Sequence, residues 1–165
     1  MAGLDIIIAP EREVEAPAIA VLEERAFGPG RFARTAFRLR EKSPHDIQLS
    51  FTARISTLVV GSIRLTPIRI GDQPALLLGP LTVDPAFHSK GIGRMLMEAS
   101  LTAATRAGHG LVLLVGDEAY YSRAGFKRLP HGKIIMPGPV DPTRVLVREL
   151  ADGALENLHG LVSGA

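Results

Sequence analysis

The 165-residue sequence contains no cysteine and no tryptophan, and aromatic residues make up only 5% of it. Without cysteine there is no disulfide, no thiolate metal site and no cysteine nucleophile. With so few aromatics, a base-stacking platform for nucleic acid would be sparse. No apolar run reaches the roughly 20 residues that a membrane-spanning helix needs. Charge of one sign is also scarce. Lys and Arg number 19 against 17 Asp and Glu, so the formal net charge is +2 with pI ≈ 9.3. That mild excess falls short of a nucleic-acid footprint. The first apolar stretch, Leu4 to Ala9, is interrupted by Asp5 and preceded by no basic residue, which makes a poor signal peptide and a good first strand. The cytoplasm is the default compartment.

Hydrophobic residues at 46% and charged residues at 22% suit a packed globular core. The length suggests one domain, spanning residues 1–150, followed by a small, polar, loosely held tail at 151–165. Ile6-Ile7-Ile8 reads as a strand. Pro10, Glu11 and Glu13 suit a helix start, with Ile19, Leu22 and Ala26 on one face, and Gly28-Pro29-Gly30 breaks the helix. A second helix covers Phe32 to Glu41. Ile47 to Arg54 and Leu58 to Ile70 alternate like strands, and the turn Gly71 to Pro74 joins the latter to Leu76–Val83 as an antiparallel meander.

After that strand come a polar turn (Asp84 to Ser89), a short glycine loop (Lys90-Gly91-Ile92-Gly93-Arg94) and a periodic helix. Ile92, Leu96, Ala99 and Ala103, supported by Met95, form its expected inward stripe, while Glu98, Thr102 and Arg106 face outward. Gly108 suits its C-terminal cap. The apolar run Leu111 to Val115 suits a strand covered on both faces, as parallel strands are. A short helix from Asp117 to Arg123, a strand near Lys133 to Met136 and a last strand at Val145 to Val147 complete the reading. The fold class is therefore α/β: a largely antiparallel mixed sheet with one parallel βαβ crossover.

A helix N-terminus has unpaired N–H groups and the positive end of the helix dipole, so the glycine loop is a ready anion site. Two glycines alone identify no ligand. A dinucleotide loop would want a third glycine where Leu96 stands, and a P-loop would want Lys-Ser/Thr after Gly93, where Arg94 and Met95 stand. Taken alone, the loop reads equally as a strand-to-helix turn with nothing bound.

Two motifs, at this separation and in this element order, resemble the GNAT superfamily of acyl-CoA N-acyltransferases. His88-Ser89-Lys90-Gly91-Ile92-Gly93 is similar to the family's Gln/Arg-x-x-Gly-x-Gly/Ala motif. Tyr121-Ser122-Arg123-Ala124-Gly125-Phe126 is similar to its Tyr-x-Lys/Arg-x-Gly-Phe. The resemblance runs from Ile6 to about Val147. Two positions depart from the pattern: His88 replaces Gln or Arg, and Leu114 stands where the family often has Asn.

The resemblance implies a mixed sheet with helices on both faces and acetyl-CoA or a related short acyl-CoA as the acyl donor. The pyrophosphate would meet the amides of Ser89 to Arg94, with Lys90 and Arg94 adding charge and His88 a hydrogen bond. The pantetheine arm would pair with the backbone of Leu81, Thr82 and Val83. An amine would be acylated directly, and Tyr121 would protonate the leaving thiolate. A phenol with pKa near ~10 is protonated at neutral pH and suits that task; a tyrosine simply packed under the sheet is the blander reading. Tyr120 reads as packing or acceptor contact, and Arg123 as ordering the turn.

No general base stands out, although Asp84, Glu118, Glu23 and Glu24 are conceivable. His45, His109, His131 and His159 have no metal-ligand spacing, so no metal is expected. Arg31, Arg34 and Arg38 share a helix face that reads first as a solvated basic surface. Where the family places its second helix, the same face would rim the acceptor mouth and favour an acidic acceptor or an acyl carrier protein. Two alternatives keep the fold: a non-catalytic acyl-CoA sensor, and an acyltransferase whose donor is acyl carrier protein. Nothing in the sequence names the acceptor amine, and monomer and homodimer both stay open, although an exposed strand near Val145 would suit a dimer.

Overall fold

The computed structural model describes residues 5–28, 35–130 and 132–165. Leu4, Pro29-Gly30, Phe32 and His131, named above, lie outside them. Among the described residues, β1 (Ile6–Pro10), β2 (Phe51–Ile55), β3 (Leu58–Ile70) and β4 (Gln73–Val83) follow one another as antiparallel neighbours. α1 (Ala16–Phe27) and α2 (Thr35–Lys42) fall between β1 and β2. β4 then passes through α3 (Ile92–Arg106) to a parallel β5 (Leu111–Val115). α4 (Glu118–Tyr121), β6 (Lys127–Arg128), β7 (Ile134–Ile135), β8 (Val145–Glu149) and β9 (Gly160–Gly164) complete the chain. The main sheet order is β1-β2-β3-β4-β5-β8-β6. It is mixed, with helices, as the sequence implies.

The period of two along β4 sends alternate side chains into two cores. Leu76 and Leu78 join Leu96, Leu101 and Val112 on the α3 face, while Ala75 and Leu77 join Leu39, Leu113 and Val147 on the α2 face. α3 closes on the sheet at Gly61. A Cβ there would come within 3.0 Å of Ile92 and 3.1 Å of Leu96. The buried stripe therefore runs through Ile92, Leu96, Met97, Ser100, Leu101 and Ala104. The expected Ala99 and Ala103 sit at its half-buried flank, because periodicity alone leaves the helix free to roll until a close contact sets it.

Four expectations shift. Pro10 ends β1, and α1 starts only at Ala16. Residues 47–49 form a 3-10 turn before β2. β8 lies between β5 and β6 with Val145 buried, so it offers no free edge for a dimer. The tail is also not loose. β9 pairs with Ile68–Ile70 of β3, along the edge that β2 leaves open beyond Ile63, and with β7. Leu158 and Val162 are buried there. Two apolar side chains at the right register outweigh the small, polar character of the segment. No helix among the described residues is long and apolar enough to cross a membrane.

Candidate active site

The site forms where β4 leaves β5. β4 carries an extra residue opposite β3: Leu78 faces Leu65 and Leu81 faces Ile63, so Gly79 and Pro80 bulge out. On the other edge, pairing with β5 stops at Leu77 opposite Leu113. Beyond that point the strands splay. The backbone of Leu81 to Val83 keeps its β3 partners but has no strand on the β5 side. This is an open edge inside a sheet, the kind that accepts an extended, amide-bearing chain. Leu81, Thr82 and Val83 all lie on it. Their side chains are half-buried or buried, so only backbone groups face the opening.

The glycine loop stands at the mouth of this opening. Ser89 and Gly91 have positive φ, 67° and 76°, which turn the chain into α3. The first bond of the helix runs from the Met95 N–H to the Gly91 carbonyl. The amides of Ile92, Gly93 and Arg94 are therefore left without an acceptor inside the helix. The Ile92 side chain is in the core, so this residue presents only its N–H. Lys90 is exposed. The His88 ring does not point at the loop: Nε2 donates to the Val83 carbonyl at 3.1 Å and ties the turn to the end of β4.

Beside the loop, between α3 and the residues after α4, runs a groove of about 910 Å³. The outward face of α3 (Glu98, Thr102, Arg106) is one wall, with Arg94 above it. Arg123 and Arg148 line the other. The turn-ordering role expected of Arg123 belongs to Arg148, whose Nη1 donates to the Ala124 carbonyl at 2.7 Å. Four arginines along one groove make a rim suited to phosphate groups.

The two tyrosines have different places. Tyr120 is 41% exposed, and its hydroxyl lies against Gly93, facing the loop and groove rather than an acceptor. Tyr121 packs into the α3-side core, edge-on to Tyr120 at 4.9 Å and to Phe126 at 6.1 Å. Gly116 makes room for its ring, since a Cβ there would lie 2.5 Å from Cε2. Burial, with Tyr120 beside it, pushes the Tyr121 phenol up to about 12, while Arg144 and Arg40 pull the other way. Leu114 is buried, so β5 sends no polar side chain into the gap.

The side of the sheet under α1 and α2 carries a layer of charge that sequence reading missed. Arg64 of β3 grips Glu11 through two bonds of 2.9 and 3.3 Å and reaches Glu23 of α1 at 3.6 Å. His45 adds a 2.8 Å contact to Glu11. Burial alone would raise the Glu11 pKa, but bonds from His45 and Arg64 hold it below the usual carboxylate range. Arg40 of α2 lies in the same layer. Its Nη2 would be 2.9 Å from a Cβ on Gly79, it stacks over Phe37 at 5.0 Å, and its buried Nε has no hydrogen-bond partner among the described residues. Burial lowers the Arg40 pKa to about 10, which leaves it charged at neutral pH.

Arg31 and Arg34 lie outside the described residues. Arg38 is exposed, with Nη1 beside Gly138 on the loop packed over α2. The helix thus carries its buried cation at Arg40, two residues further on. The candidate bases separate too. Asp84 caps the 85–87 turn and pairs with Arg25, Glu118 pairs with Arg128 at 2.8 Å, and Glu24 is exposed. Glu23 is the buried one.

Comparison with known proteins agrees with this arrangement. The sequence profile for the acetyltransferase (GNAT) domain matches residues 48–128. The uncharacterized N-acetyltransferase YhbS of Escherichia coli K12 is 30% identical over 159 residues, 95% of both chains. YjhQ of the same strain is 31% identical over 117 residues, covering 68% of this chain and 65% of that one. The crystal structure of E. coli YhbS in complex with CoA superposes with a TM-score of 0.83 at 27% identity, over 100% of this chain and 92% of that one. A Brucella melitensis GNAT acetyltransferase in complex with acetyl-CoA gives 0.63 at 28%, over 93% and 100%. With a β4 edge open beyond β5 and a glycine turn at the start of α3, and with these relatives, the chain belongs to the GNAT family of acetyltransferases.

Proposed function

We propose that this protein transfers an acetyl or short acyl group from acyl-CoA directly to a primary amine. The observation that carries the reading is the gap itself: β4 and β5 part after Leu77 and Leu113, and the Tyr121 ring packs against Gly116, just past the end of β5. Acyl-CoA would enter from the α3 side. Its pyrophosphate would take the amides of Ile92, Gly93 and Arg94, and its further phosphate the arginines of the groove. The pantetheine amides would pair with the free edge at Leu81 to Val83. CoA and acetyl-CoA in the related structures support this donor.

The amine would approach from the α1 and α2 side. It must be neutral to attack, and Glu23, a buried carboxylate of α1 on that side, would take its proton. Attack on the thioester carbonyl forms the C–N bond and an oxyanion, which a β4 backbone N–H near the bulge would stabilise. Collapse breaks the C–S bond, and the thiolate takes the proton of Tyr121. The products are the amide and free CoA thiol. The raised pKa keeps the Tyr121 phenol protonated at neutral pH, so the proton is in place when the thiolate forms, and solvent then reprotonates the phenolate.

Calorimetric titration with acetyl-CoA and a thiol-release assay across an amine panel test the reading. Binding together with amine-dependent thiol release is the expected result. Binding without release for any amine would favour the sensor reading, and no binding would point to acyl carrier protein as donor.

A further inference from the structure

Arg40 is expensive to keep where it is. Its buried Nε has lost its hydration, and no described residue hydrogen-bonds it in return. The surroundings are nevertheless built around it. Phe37 underlies the cation at 5.0 Å. Gly79, at φ 122°, leaves the space its Nη2 occupies. Arg64 is a second cation nearby, already held on Glu11 by a two-bond fork. Glu23, on α1, is the carboxylate whose charge Arg40 feels most.

The position is as informative as the charge. α2 packs on one face of the sheet through Leu39, and Tyr121 packs on the other. Arg40 stands against Gly79, just beyond the last β4 residue paired with β5. Arg40 is therefore beside the bulge from the acceptor's side, with its free donor close to the reacting centre.

We propose that Arg40 binds the carboxylate of the acceptor, and that the acceptor is an α-amino acid whose amine is presented to Glu23. This rests on the acetyl-transfer reading above and names its substrate class. An arginine against the β4 bulge, with a buried carboxylate on the neighbouring helix α1, matches an acceptor that carries an anion close to its amine. A peptide N-terminus or a simple alkylamine has no anion at that distance and would leave Arg40 unsatisfied. Arg is suited to this task because its planar fork binds a carboxylate through two donors. The transfer step is unchanged: the amine gains the acetyl group, its proton leaves through Glu23, and CoA leaves as the thiol.

The test pairs each α-amino acid with its own carboxamide as acceptor, acetyl-CoA as donor and CoA thiol release as readout, near neutral pH where Arg40 is charged, with each rate expressed per neutral amine. The intact protein is compared with Arg40→Gln and Arg40→Lys. The wild type should prefer acid over amide. Arg40→Gln should lower kcat/KM for acids by about 10- to 100-fold through KM, the scale of a lost hydrogen bond to a charged group, and leave the amides nearly unchanged. Arg40→Lys should recover part of the loss. Acetyl-CoA titration of each variant, which should match the wild type, checks that the donor half is intact. The proposal is overturned if the wild type acetylates amides as readily as acids, turns over neutral amines but no α-amino acid, or loses both classes equally in Arg40→Gln. If neither variant folds, the wild-type preference decides by itself. Failure of acetyl-CoA to bind the wild type would instead count against the transferase reading.

Discussion

The Tyr120 hydroxyl stands 2.6 Å from the position a Cβ on Gly93 would take. The phenol thus fills the space beside the second glycine of the loop, over the free amides of α3. Gly93 itself has helical backbone geometry, so what requires glycine here is close approach rather than a positive φ.

Gly93→Ala should therefore push Tyr120 aside rather than unfold the loop. Tyr120 is 41% exposed and can swing outward, so the stability change should stay below about 1 kcal/mol. CoA affinity should fall several-fold, because the displaced ring enters the groove it now borders. Calorimetry beside a melting curve separates the two effects. An unchanged Kd would mean that the ring and the donor do not share this space.

Tyr121→Phe should lower kcat by about 10²–10⁴-fold with little effect on CoA binding, the range expected for losing a general acid. The phenol is pushed up to about 12 from 10.0, so it stays protonated across the neutral and mildly alkaline range. The rate should not decline through loss of this proton below pH 10. The same shift bears on stability. The unfolded chain ionises first, so the stability from this buried proton is complete below pH 10 and is lost between pH 10 and about 12. Denaturant midpoints of wild type and Tyr121→Phe should converge across that window.

Glu11 has the opposite sign. Burial would raise its pKa, but His45 and Arg64 hold it below its ordinary 4.5. Its contribution is complete above pH 4.5 and is lost as the pH falls through the lower folded value. Glu11→Gln should cost about 3 kcal/mol at neutral pH, since it leaves the Arg64 guanidinium without its carboxylate. The melting-temperature gap between wild type and variant should narrow as the medium is acidified below pH 4.5. A constant gap would show that the ion pair adds nothing.

Val162→Ala should destabilise by about 2 kcal/mol, two methyl groups' worth of burial plus the cavity left behind. The loss should appear as a lower melting temperature with the Kd for CoA unchanged, because β9 joins the sheet on the β3 edge, away from the gap. A variant as stable as wild type would mean that the C-terminal strand adds no stability.

Much of the donor half can be read directly from the chain, since each part is a short, contiguous piece. The apolar Leu76–Val83 run, the glycine loop and the Tyr121 segment need only their neighbours to be recognised. The α3 stripe was legible in period and slightly off in phase, because the phase is set by Gly61 on a strand far away in sequence. β9 was not legible. Its partners, Ile68 to Ile70, lie some ninety residues earlier, and nothing local marks a small, polar segment as a strand.

The acceptor half separates what each source decides. By itself, the sequence determined the βαβ unit, the glycine loop and the short helix that carries Tyr121, because those follow from backbone preference and side-chain spacing over a few residues. Only the tertiary structure decided which arginine of the second helix is tucked against the sheet. Arg38 and Arg40 are alike as residues, yet one is exposed beside a loop and the other packs against the β4 bulge with its Nε buried. Burial, and with it the cost and use of a charge, depends on what distant segments pack around it, and the composition of one helix does not contain that information.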